Sequence, residues 1–338
     1  MKKIIRSWVS SHKDRRILGK LKKLLGPQLQ ILIDRCELLV SECVDEPVYT
    51  KIRDLGGVNN LGMLMHYSIK NNAPVAISKI EKDSLAEREN RFLQWQKEFH
   101  SNTLAAEPFG IISVTENYTC FVSSALTEIQ QFSYDKATSL FQRLGREPDL
   151  LSHLAIKGRK EALIHEIDDS TNIKSILVHL VSQFDTPAAE VFYKNKISQK
   201  EEIFSKEPAL FIELQSCMEK AYHFLSAKDL SPFEGLVHGD FKSQNILEDG
   251  KLYKVIDCQY YTYGIRLWDL AFLFSKNEKF HNVEKHINKH DLIEEKLFLV
   301  FFYLVATITS TKQKRAEKVL IQQLNPSIQY LKHLLRFK

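Results

Sequence analysis

The spacing of apolar residues changes once along the chain, and this change limits the folds that the chain can adopt. From about Val48 to Leu126, apolar and polar residues mostly alternate, as they do in half-buried strands. Beyond Thr127, apolar residues recur every three or four positions, the period of a helix with one buried face. The sequence therefore predicts an α+β fold in which a small β-rich lobe precedes a larger helical lobe. The 338 residues are enough for two such lobes around a cleft.

The two patterns predict the following elements. Strands are expected at Tyr49–Arg53, Leu61–Ile69, Pro74–Ile80, Gly110–Val114 and Thr119–Ala125, with a helix at Ser84–Phe99. Further helices are expected at Tyr134–Leu144, Ile173–Phe184, Ala209–Leu225, Asp291–Ile308 and Arg315–Leu324. The stretch Gly145–Glu207 is polar and mixed, and its elements have no clear order. We divide the chain into an N-terminal extension (residues 1–45), a first lobe (46–126) and a helical lobe (127–338).

Cysteine usage and apolar runs argue against several classes of protein. The five cysteines are scattered and never spaced as C-x-x-C, which argues against a disulfide framework or a zinc site and for a reducing compartment. The basic first residues are not followed by the long apolar segment of a secretory signal. The longest apolar run, Leu297–Ile308, is too short to span a bilayer and predicts a buried helix. We therefore expect a cytoplasmic protein.

Basic residues are concentrated near the N-terminus. Residues 1–30 contain nine lysines and arginines against Asp14 alone, a local charge of +8, whereas the whole chain carries +5, so the other residues sum to −3. Apolar residues from Ile4 to Leu25 are interleaved with them. A basic amphipathic helix in residues 1–25 can lie on an anionic membrane surface, or it can pack on the first lobe. No stacking motif accompanies the basic residues, so no nucleic-acid partner is expected.

A polar loop flanked by apolar residues lies in the helical part of the chain. The sequence LVHGDFKSQNIL (Leu236–Leu247) contains His, Asp, Lys and Asn, and polar groups are costly to bury unless they are paired or used. Asp240 and Asn245 are five residues apart. That is the spacing of the phosphotransfer catalytic loop, in which the Asp accepts a proton from the substrate hydroxyl and the Asn holds magnesium. A further carboxylate, Asp257, follows the strand-like segment GKLYKVI.

These residue types suit transfer of a phosphoryl group from ATP. The phosphates repel a nucleophile, so Mg²⁺ must neutralise them, and Mg²⁺ prefers carboxylate and amide oxygens. The attacking hydroxyl also needs a proton acceptor that is not bound to the metal. Asp240 would be that acceptor, and Asn245 and Asp257 would be the metal ligands.

The two motifs resemble those of a known superfamily. VHGDFKSQNIL is similar to the H-G-D-x-x-x-x-N signature of the aminoglycoside phosphotransferase and choline kinase-like superfamily. VIDCQYYTYGIRLWDLAFLF resembles its I-D-x-x-x-x-x-x-G-x-x-x-x-D-L-A segment, and Asp257-Cys258-Gln259 is nearest to the D-F-Q of the ecdysteroid-kinase-like branch. The resemblance is clear over Leu236–Phe274 and fainter over Leu55–Leu126. It implies a two-lobed protein-kinase-like fold and a small-molecule kinase that uses ATP and Mg²⁺.

The resemblance also implies a nucleotide clamp in the first lobe. Lys79 ends the strand VAISK and resembles the lysine that contacts the α- and β-phosphates. Its carboxylate partner would be Glu89 or, as the alternative, Glu87. The segment LGGVNNLG lies between two strands, like the phosphate-covering loop, although the same letters are typical of an ordinary hairpin turn. From this loop, the residues expected to contact the nucleotide are Gly57, Asn59 and Asn60.

In the helical lobe, the resemblance implies further roles. Lys242 resembles the lysine that contacts the transferred phosphoryl group in Ser/Thr protein kinases, whereas His238 and Asp269 resemble residues that brace the loop. The acceptor would be a hydroxyl of an aminoglycoside-, choline- or sugar-like molecule, or of a glycolipid-like one. Acidic side chains that could bind a cationic acceptor are Asp168, Asp169, Glu294 and Glu295.

Two other functions fit the fold less well. A nucleotide-binding pseudokinase that acts as an interaction module is less favoured, because Lys79, Asp240, Asn245 and Asp257 are all present. A protein kinase is less favoured because Asp257-Cys258-Gln259 replaces D-F-G and no A-P-E segment is found.

Overall fold

A computed structural model describes residues 12–53, 61–100, 104–144, 146, 180–277, 279–310 and 317–337. The chain divides into two compact units. Unit 1 comprises Met1–Gln131 together with Leu247–Gln259, and unit 2 comprises Phe132–Ile246 together with Tyr260–Lys338. The segment Leu247–Gln259 therefore belongs to the same unit as the first part of the chain. The predicted division at residue 126 places this segment in the helical lobe.

The elements are numbered in chain order. The strands are β1 (Val48–Arg53), β2 (Gly62–Ser68), β3 (Pro74–Lys82), β4 (Pro108–Thr115), β5 (Tyr118–Ser124), β6 (Glu234–Val237), β7 (Ile246–Asp249), β8 (Leu252–Val255) and β9 (Thr262–Ile265). The helices are α1 (His12–Leu25), α2 (Gln28–Val44), α3 (Asp83–His100), α4 (Tyr134–Arg143), α5 (Pro187–Ser198), α6 (Pro208–Ser226), α7 (Leu267–Asn277), α8 (Phe280–Ile287), α9 (Ile293–Ser310) and α10 (Glu317–Leu334).

Unit 1 is built on an antiparallel sheet with the strand order β1-β2-β3-β5-β4. Side chains along β1 alternate between buried and partly buried, as expected for a strand with one face on a core. The central strand β3 pairs with β2 on one side and with β5 on the other. Because α3 begins immediately after β3, the functional side chains of both elements start from a fixed, central part of the sheet.

Helices α1 and α2 pack on this sheet. Leu18, Leu21 and Leu25 of α1 are buried, and they join a core that also contains residues of α2 and of the sheet. Asp14 of α1 is buried as well, 3.7 Å from the guanidinium of Arg53. The apolar face of residues 12–25 is thus used in packing, which favours the alternative of a helix packed on the first lobe.

The close approach of α1 explains a glycine at the start of β2. A Cβ atom on Gly62 would lie 2.8 Å from Leu21 Cδ1, closer than non-bonded atoms allow. The sequence grouped this glycine with the predicted phosphate-covering loop. The contact gives Gly62 a packing role that the sequence did not reveal.

Unit 2 is mainly helical and has an aromatic core. Helix α9 lies against α6, α7 and α10, and its residues from Leu297 to Ala306 are all at most 1% exposed. Phe184 contacts three phenylalanines of α9, Phe298, Phe301 and Phe302, at ring-centroid distances of 5.2–5.8 Å. The predicted buried helix at Leu297–Ile308 is therefore part of the core. Among the described residues, no helix is both long enough and apolar enough to cross a membrane.

The predicted α+β class, with a small β-rich lobe before a larger helical one, is confirmed. Several helices were not among the expected elements, namely α2, α5, α7 and α8. Helix α10 continues through Pro326 to Leu334, whereas the prediction ended at Leu324. Most of the predicted helix Ile173–Phe184 lies outside the described residues.

Candidate functional site

Lys79 of β3 forms a buried ion pair with Glu89 of α3. The ammonium lies 2.8 and 3.1 Å from the two carboxylate oxygens of Glu89, and both residues are at most 5% exposed. Of the two candidate glutamates, the structure therefore pairs Glu89 with the lysine, whereas Glu87 is exposed. A buried ammonium held on a carboxylate is fixed in position and keeps its charge.

Asp257 reaches the same lysine from the segment after β8. Its Oδ1 lies 3.5 Å from Lys79 Nζ, and its backbone N–H donates to Glu89 Oε1 at 3.2 Å. About a third of its side chain is exposed, unlike those of its two partners. Asp257 has a φ of 60°, in the left-handed region that non-glycine residues adopt infrequently. The backbone bond to Glu89 helps to hold this turn, so that the carboxylate is both anchored and accessible.

Glu81 adds a third carboxylate to this cluster. It lies two residues after Lys79 on β3, is 1% exposed, and accepts a hydrogen bond from Gln259 Nε2. Carboxylate oxygens of Glu81, Glu89 and Asp257 lie within 4.8 Å of one another. Oxygen ligands grouped in this way fit a hard divalent cation, and Asp257 is the most accessible of the three.

The crowding of charge shifts the pKa values in this cluster. Burial acts to lower the pKa of the lysine, but the carboxylates of Glu89, Asp257 and Glu81 raise it above its ordinary value. Burial and the negative charge of Glu89 raise the pKa of Glu81 to about 8. The cluster therefore holds a charged lysine, and burial favours the protonated form of Glu81.

Unit 2 contains the polar loop singled out in the sequence. The loop follows β6, which pairs with β9, and Asp269 near the start of α7 braces it. The two carboxylate oxygens of Asp269 accept hydrogen bonds from the backbone N–H groups of His238, at 2.7 Å, and of Gly239, at 3.0 Å. Gly239 has a φ of 88°, which a glycine adopts without strain. The bend before Asp240 is thus fixed by one carboxylate and one glycine.

Asp240 is held between two side chains of its own loop. Lys242 Nζ lies 2.7 Å from Asp240 Oδ2, and Asn245 Nδ2 donates to the same oxygen at 3.1 Å and to the Asp240 carbonyl at 2.9 Å. Asp240 is 3% exposed and Asn245 is 5% exposed. Because the amide nitrogen of Asn245 is used in these bonds, its amide oxygen is the atom suited to a metal.

Burial changes two pKa values around this loop. Burial raises the pKa of Asp269 to about 7, although its two backbone hydrogen bonds act in the opposite direction. Burial also lowers the pKa of Lys276, while the charge of Asp240 partly opposes this change. Burial therefore makes the charged form of Asp269 less stable, and the hydrogen bonds from the two backbone amides only partly offset this effect.

Five residues expected at a site lie outside the part of the chain that the structure describes, and two others have partners elsewhere. Gly57, Asn59 and Asn60 lie outside the described residues, as do Asp168 and Asp169. Two other acidic residues offered for a cationic acceptor are already paired, since Glu294 lies 3.1 Å from Lys228 and Glu295 lies 2.9 Å from His290.

Glu81 and Arg88 were missed by the sequence reasoning. Arg88, on α3 next to Glu89, donates from Nε to the Gln259 carbonyl at 3.0 Å, and it is 3% exposed. A signal for Glu81 was available, because residues two apart on a strand share a face and Glu81 therefore follows Lys79 on its side of β3. Arg88 offered no comparable signal, since its partner lies 171 residues away.

A family comparison supports the resemblance noted in the motifs. Residues 184–283 match the model of the phosphotransferase enzyme family known as APH. The matched segment contains the loop from His238 to Asn245, as well as Asp257 and Asp269. The resemblance is therefore confirmed over this segment, and so is the prediction of a phosphotransferase enzyme. Assignment to the ecdysteroid-kinase-like branch stays a prediction. No curated protein matches the chain.

Several solved structures are similar to the chain at low sequence identity. A thermostable mutant of aminoglycoside phosphotransferase APH(4)-Ia, in its apo form, is 12% identical and covers 89% of this chain and 97% of its own, with a TM-score of 0.45. A ternary complex of such a mutant with AMP-PNP and hygromycin B is 14% identical over the same shares, with a TM-score of 0.43. A choline kinase from Cryptosporidium parvum Iowa II is 11% identical over 91% of this chain and 95% of its own, with a TM-score of 0.47. Structural similarity at these identities and TM-scores does not identify a substrate for this chain.

Proposed function

We propose that the protein is a small-molecule kinase that transfers the γ-phosphoryl group of ATP, with Mg²⁺, to a hydroxyl group. The observation that carries this proposal is the braced loop of unit 2. It presents Asp240 and Asn245 at the phosphotransfer spacing, and it lies inside the segment that matches the phosphotransferase family.

Asp240 is the proposed proton acceptor. Its carboxylate already accepts hydrogen bonds from Lys242 and Asn245, which fix its orientation. A hydroxyl that attacks phosphorus loses its proton, and a fixed carboxylate receives that proton without first reorganising. In this proposal Lys242 moves from Asp240 to the transferred phosphoryl group, because its side chain is 28% exposed and long enough to exchange partners.

Lys79 is the proposed clamp for the α- and β-phosphates. Its pairing with Glu89 keeps the ammonium charged in a buried position, where its attraction to phosphate oxygens is screened less than in water. Glu89 would thus act through the lysine, as a positioning residue. Gly57, Asn59 and Asn60 are proposed as additional contacts of the nucleotide by the resemblance alone.

Asp257 and Asn245 are the proposed ligands of Mg²⁺. Both offer hard oxygen atoms, and the partial exposure of Asp257 leaves room for an incoming ligand. When bound, Mg²⁺ neutralises phosphate charge. The backbone bond from Asp257 to Glu89 orients the carboxylate before any ligand arrives, which lowers the entropy cost of binding.

The acceptor is proposed only as a small molecule with a free hydroxyl group. Pairing of Glu294 with Lys228 and of Glu295 with His290 reduces the support for a cationic acceptor at these residues. Contact with anionic membranes through residues 1–25 is not part of the proposal, because Leu18, Leu21 and Leu25 are buried in unit 1. The glycolipid-like acceptor thereby loses its main support.

The experiment that tests the proposal measures phosphate transfer from γ-labelled ATP to a panel of hydroxyl compounds. The panel would include aminoglycosides, choline, ethanolamine and simple sugars, each with magnesium and with chelator. Transfer to at least one acceptor, lost with chelator and in Asp240→Asn, is the expected result. Binding of ATP without transfer to any acceptor, together with unchanged ATP hydrolysis in Asp240→Asn, would instead support the pseudokinase.

A further inference from the structure

Two cysteine thiols meet in the core of unit 1. Cys36 lies on α2 and Cys120 lies on β5, and their sulfur atoms are 3.8 Å apart. Both residues are 0% exposed. The two sulfurs are therefore in van der Waals contact although the residues are 84 positions apart in the chain. All five cysteines of the chain are free thiols in this structure.

Polar side chains continue from these thiols into the sheet. Ser78 of β3 interacts with both thiols. The Ser78 hydroxyl lies 2.6 Å from His66 Nε2, and His66 Nδ1 lies 2.9 Å from Thr50 Oγ1. Burial lowers the pKa of His66 to about 4, so its ring is neutral and keeps one nitrogen as an acceptor. The thiols thus lie beside a chain of hydrogen-bonded polar side chains inside an apolar core.

The two thiols differ in acidity. The contact between the two sulfurs lowers the pKa of Cys36 and raises the pKa of Cys120. Since a thiolate is the nucleophile in cysteine oxidation, Cys36 is the sulfur that reacts first and Cys120 is the one that resolves the intermediate.

We propose that Cys36 and Cys120 are an oxidisable pair that forms a reversible disulfide between α2 and β5. With hydrogen peroxide as the oxidant, the Cys36 thiolate attacks one oxygen, the O–O bond breaks, and Cys36 becomes a sulfenic acid. The Cys120 sulfur then attacks the Cys36 sulfur and displaces the hydroxyl group. In sum, two thiols and one peroxide give one disulfide and two waters. In a reducing compartment, the pair remains a dithiol.

The bond would change the packing of unit 1 by a small amount. The sulfur atoms must approach from 3.8 Å to the bonded distance of about 2.05 Å. Rotation of the two side chains supplies part of this movement, and a small shift of α2 toward the sheet supplies the rest. Cys120 pairs across the sheet with Ile80, next to Lys79, so the crosslink would tie α2 to the strand that neighbours the lysine's strand.

Other cysteines serve as controls for this proposal. Cys43 is exposed near the end of α2, and it would react first with any reagent in solution. Cys217 is buried in unit 2. Because Cys36 and Cys120 are fully buried, peroxide reaches them when α2 opens from the sheet, and a low urea concentration should speed the reaction without unfolding the protein.

The test uses the full-length Cys43→Ser protein. It is treated with hydrogen peroxide in the absence and presence of low urea, remaining thiols are alkylated, and unreduced digests are mapped by mass spectrometry. We expect a crosslinked peptide that contains Cys36 and Cys120, with two of the four remaining thiols protected from alkylation. We also expect the thermal midpoint to rise by about 5–10 °C, because the bond closes a long loop, and to return after dithiothreitol.

Two further variants complete the test. Cys36→Ser in the same background should lose both the crosslink and the rise in midpoint, whereas Cys217→Ser should keep both. The comparison of oxidised and reduced Cys43→Ser protein does not depend on the folding of these two further variants. The proposal is overturned if both thiols remain open to alkylation after oxidation in low urea. It is also overturned if they become sulfinic acids without a crosslink, or if the crosslink forms and the thermal midpoint does not rise.

Discussion

The lysine cluster of unit 1 and the polar loop of unit 2 hold their carboxylates in different ways. In unit 1, Lys79 is surrounded by acidic side chains from three separate segments, and charge pairing holds the group together. In unit 2, Asp240 lies in one short loop, and hydrogen bonds from two backbone N–H groups to the Asp269 carboxylate fix the shape of that loop. The first arrangement concentrates charge for an ionic ligand, whereas the second orients a single carboxylate.

This difference indicates that the two groups have separate roles, one in binding and the other in the chemical step. Variants in unit 1 should change the binding of nucleotide and metal, whereas variants at Asp240 should change the chemical step. Variants at the bracing residue Asp269 should change stability and chemistry together. The predictions below test this separation, beginning with the largest expected effect.

Asp240→Asn should lower turnover by roughly 10²–10⁴-fold, which is the usual contribution of a positioned acid–base group. The substitution keeps the size of the side chain but removes the proton acceptor. Steady-state transfer to the acceptor found in the panel measures this effect. The matched control is Asp249→Asn, since the Asp249 side chain is 60% exposed and pairs with Lys254 instead of a residue of the loop. If the two variants were equally active, Asp240 would not be the base.

Asp269→Ala should destabilise the protein by about 2–4 kcal/mol. It removes the acceptor of two buried backbone N–H groups, and an unsatisfied buried donor costs about 1–3 kcal/mol. Urea unfolding measures the loss, and turnover in the folded protein should fall as well. A variant with normal stability and low turnover would show that Asp269 acts in the chemical step and does not stabilise the loop.

Asp257→Ala should abolish the magnesium-dependent part of stabilisation by ATP. A ligand at about one hundred times its Kd stabilises the native state by about 2.7 kcal/mol, and chelator should reduce this in the wild type. Thermal unfolding with ATP, in magnesium or in chelator, measures the difference. Equal shifts in the two conditions for the wild type would argue against a metal site at Asp257.

Glu81→Gln should have the smallest effect on turnover, and its effect on stability should depend on pH. The pKa of Glu81 is raised from 4.5 to about 8, first by burial and then by the charge of Glu89, so the side chain is neutral at pH 7. Between about pH 4.5 and 8 the folded state keeps a proton that the unfolded state has lost, so this group's contribution to stability falls as pH rises. Relative to that of Glu81→Gln, the free energy of unfolding of the wild type should therefore fall steadily between about pH 4.5 and 8 and change little above pH 8. A constant difference across that range would mean that Glu81 titrates normally.

The local parts of the site could be predicted from the sequence. Asp240 and Asn245 lie within one loop, and their spacing alone predicts the chemistry. The resemblance implied the role of Lys79 and its pairing with Glu89, with Glu87 as the alternative. The resemblance also supplied Asp269, which lies about 30 residues from the backbone groups it binds.

Contacts between distant segments could not be predicted. Glu81 meets Gln259 across 178 residues, and no periodicity or motif records such a pair. The burial of Leu21 against Gly62 likewise depends on how α1 lies on the sheet, so the sequence left open whether the basic N-terminal helix packs or binds a membrane. Burial also changes the properties of these polar groups. It raises the pKa of Glu81 and affects the ion pair between Lys79 and Glu89.

Isothermal titration calorimetry of MgATP with wild type, Lys79→Ala and Asp240→Asn tests these separate roles most directly. Asp240→Asn should bind MgATP with a Kd within about twofold of the wild type, because it removes no contact of the nucleotide. Lys79→Ala should bind at least roughly tenfold more weakly, since an ion pair with phosphate contributes more than about 1.4 kcal/mol in a buried position. Circular dichroism of each variant confirms that it is folded. Normal MgATP binding by Lys79→Ala, together with weak binding by Asp240→Asn, would contradict the assignment of nucleotide binding to unit 1 and of chemistry to the loop of unit 2.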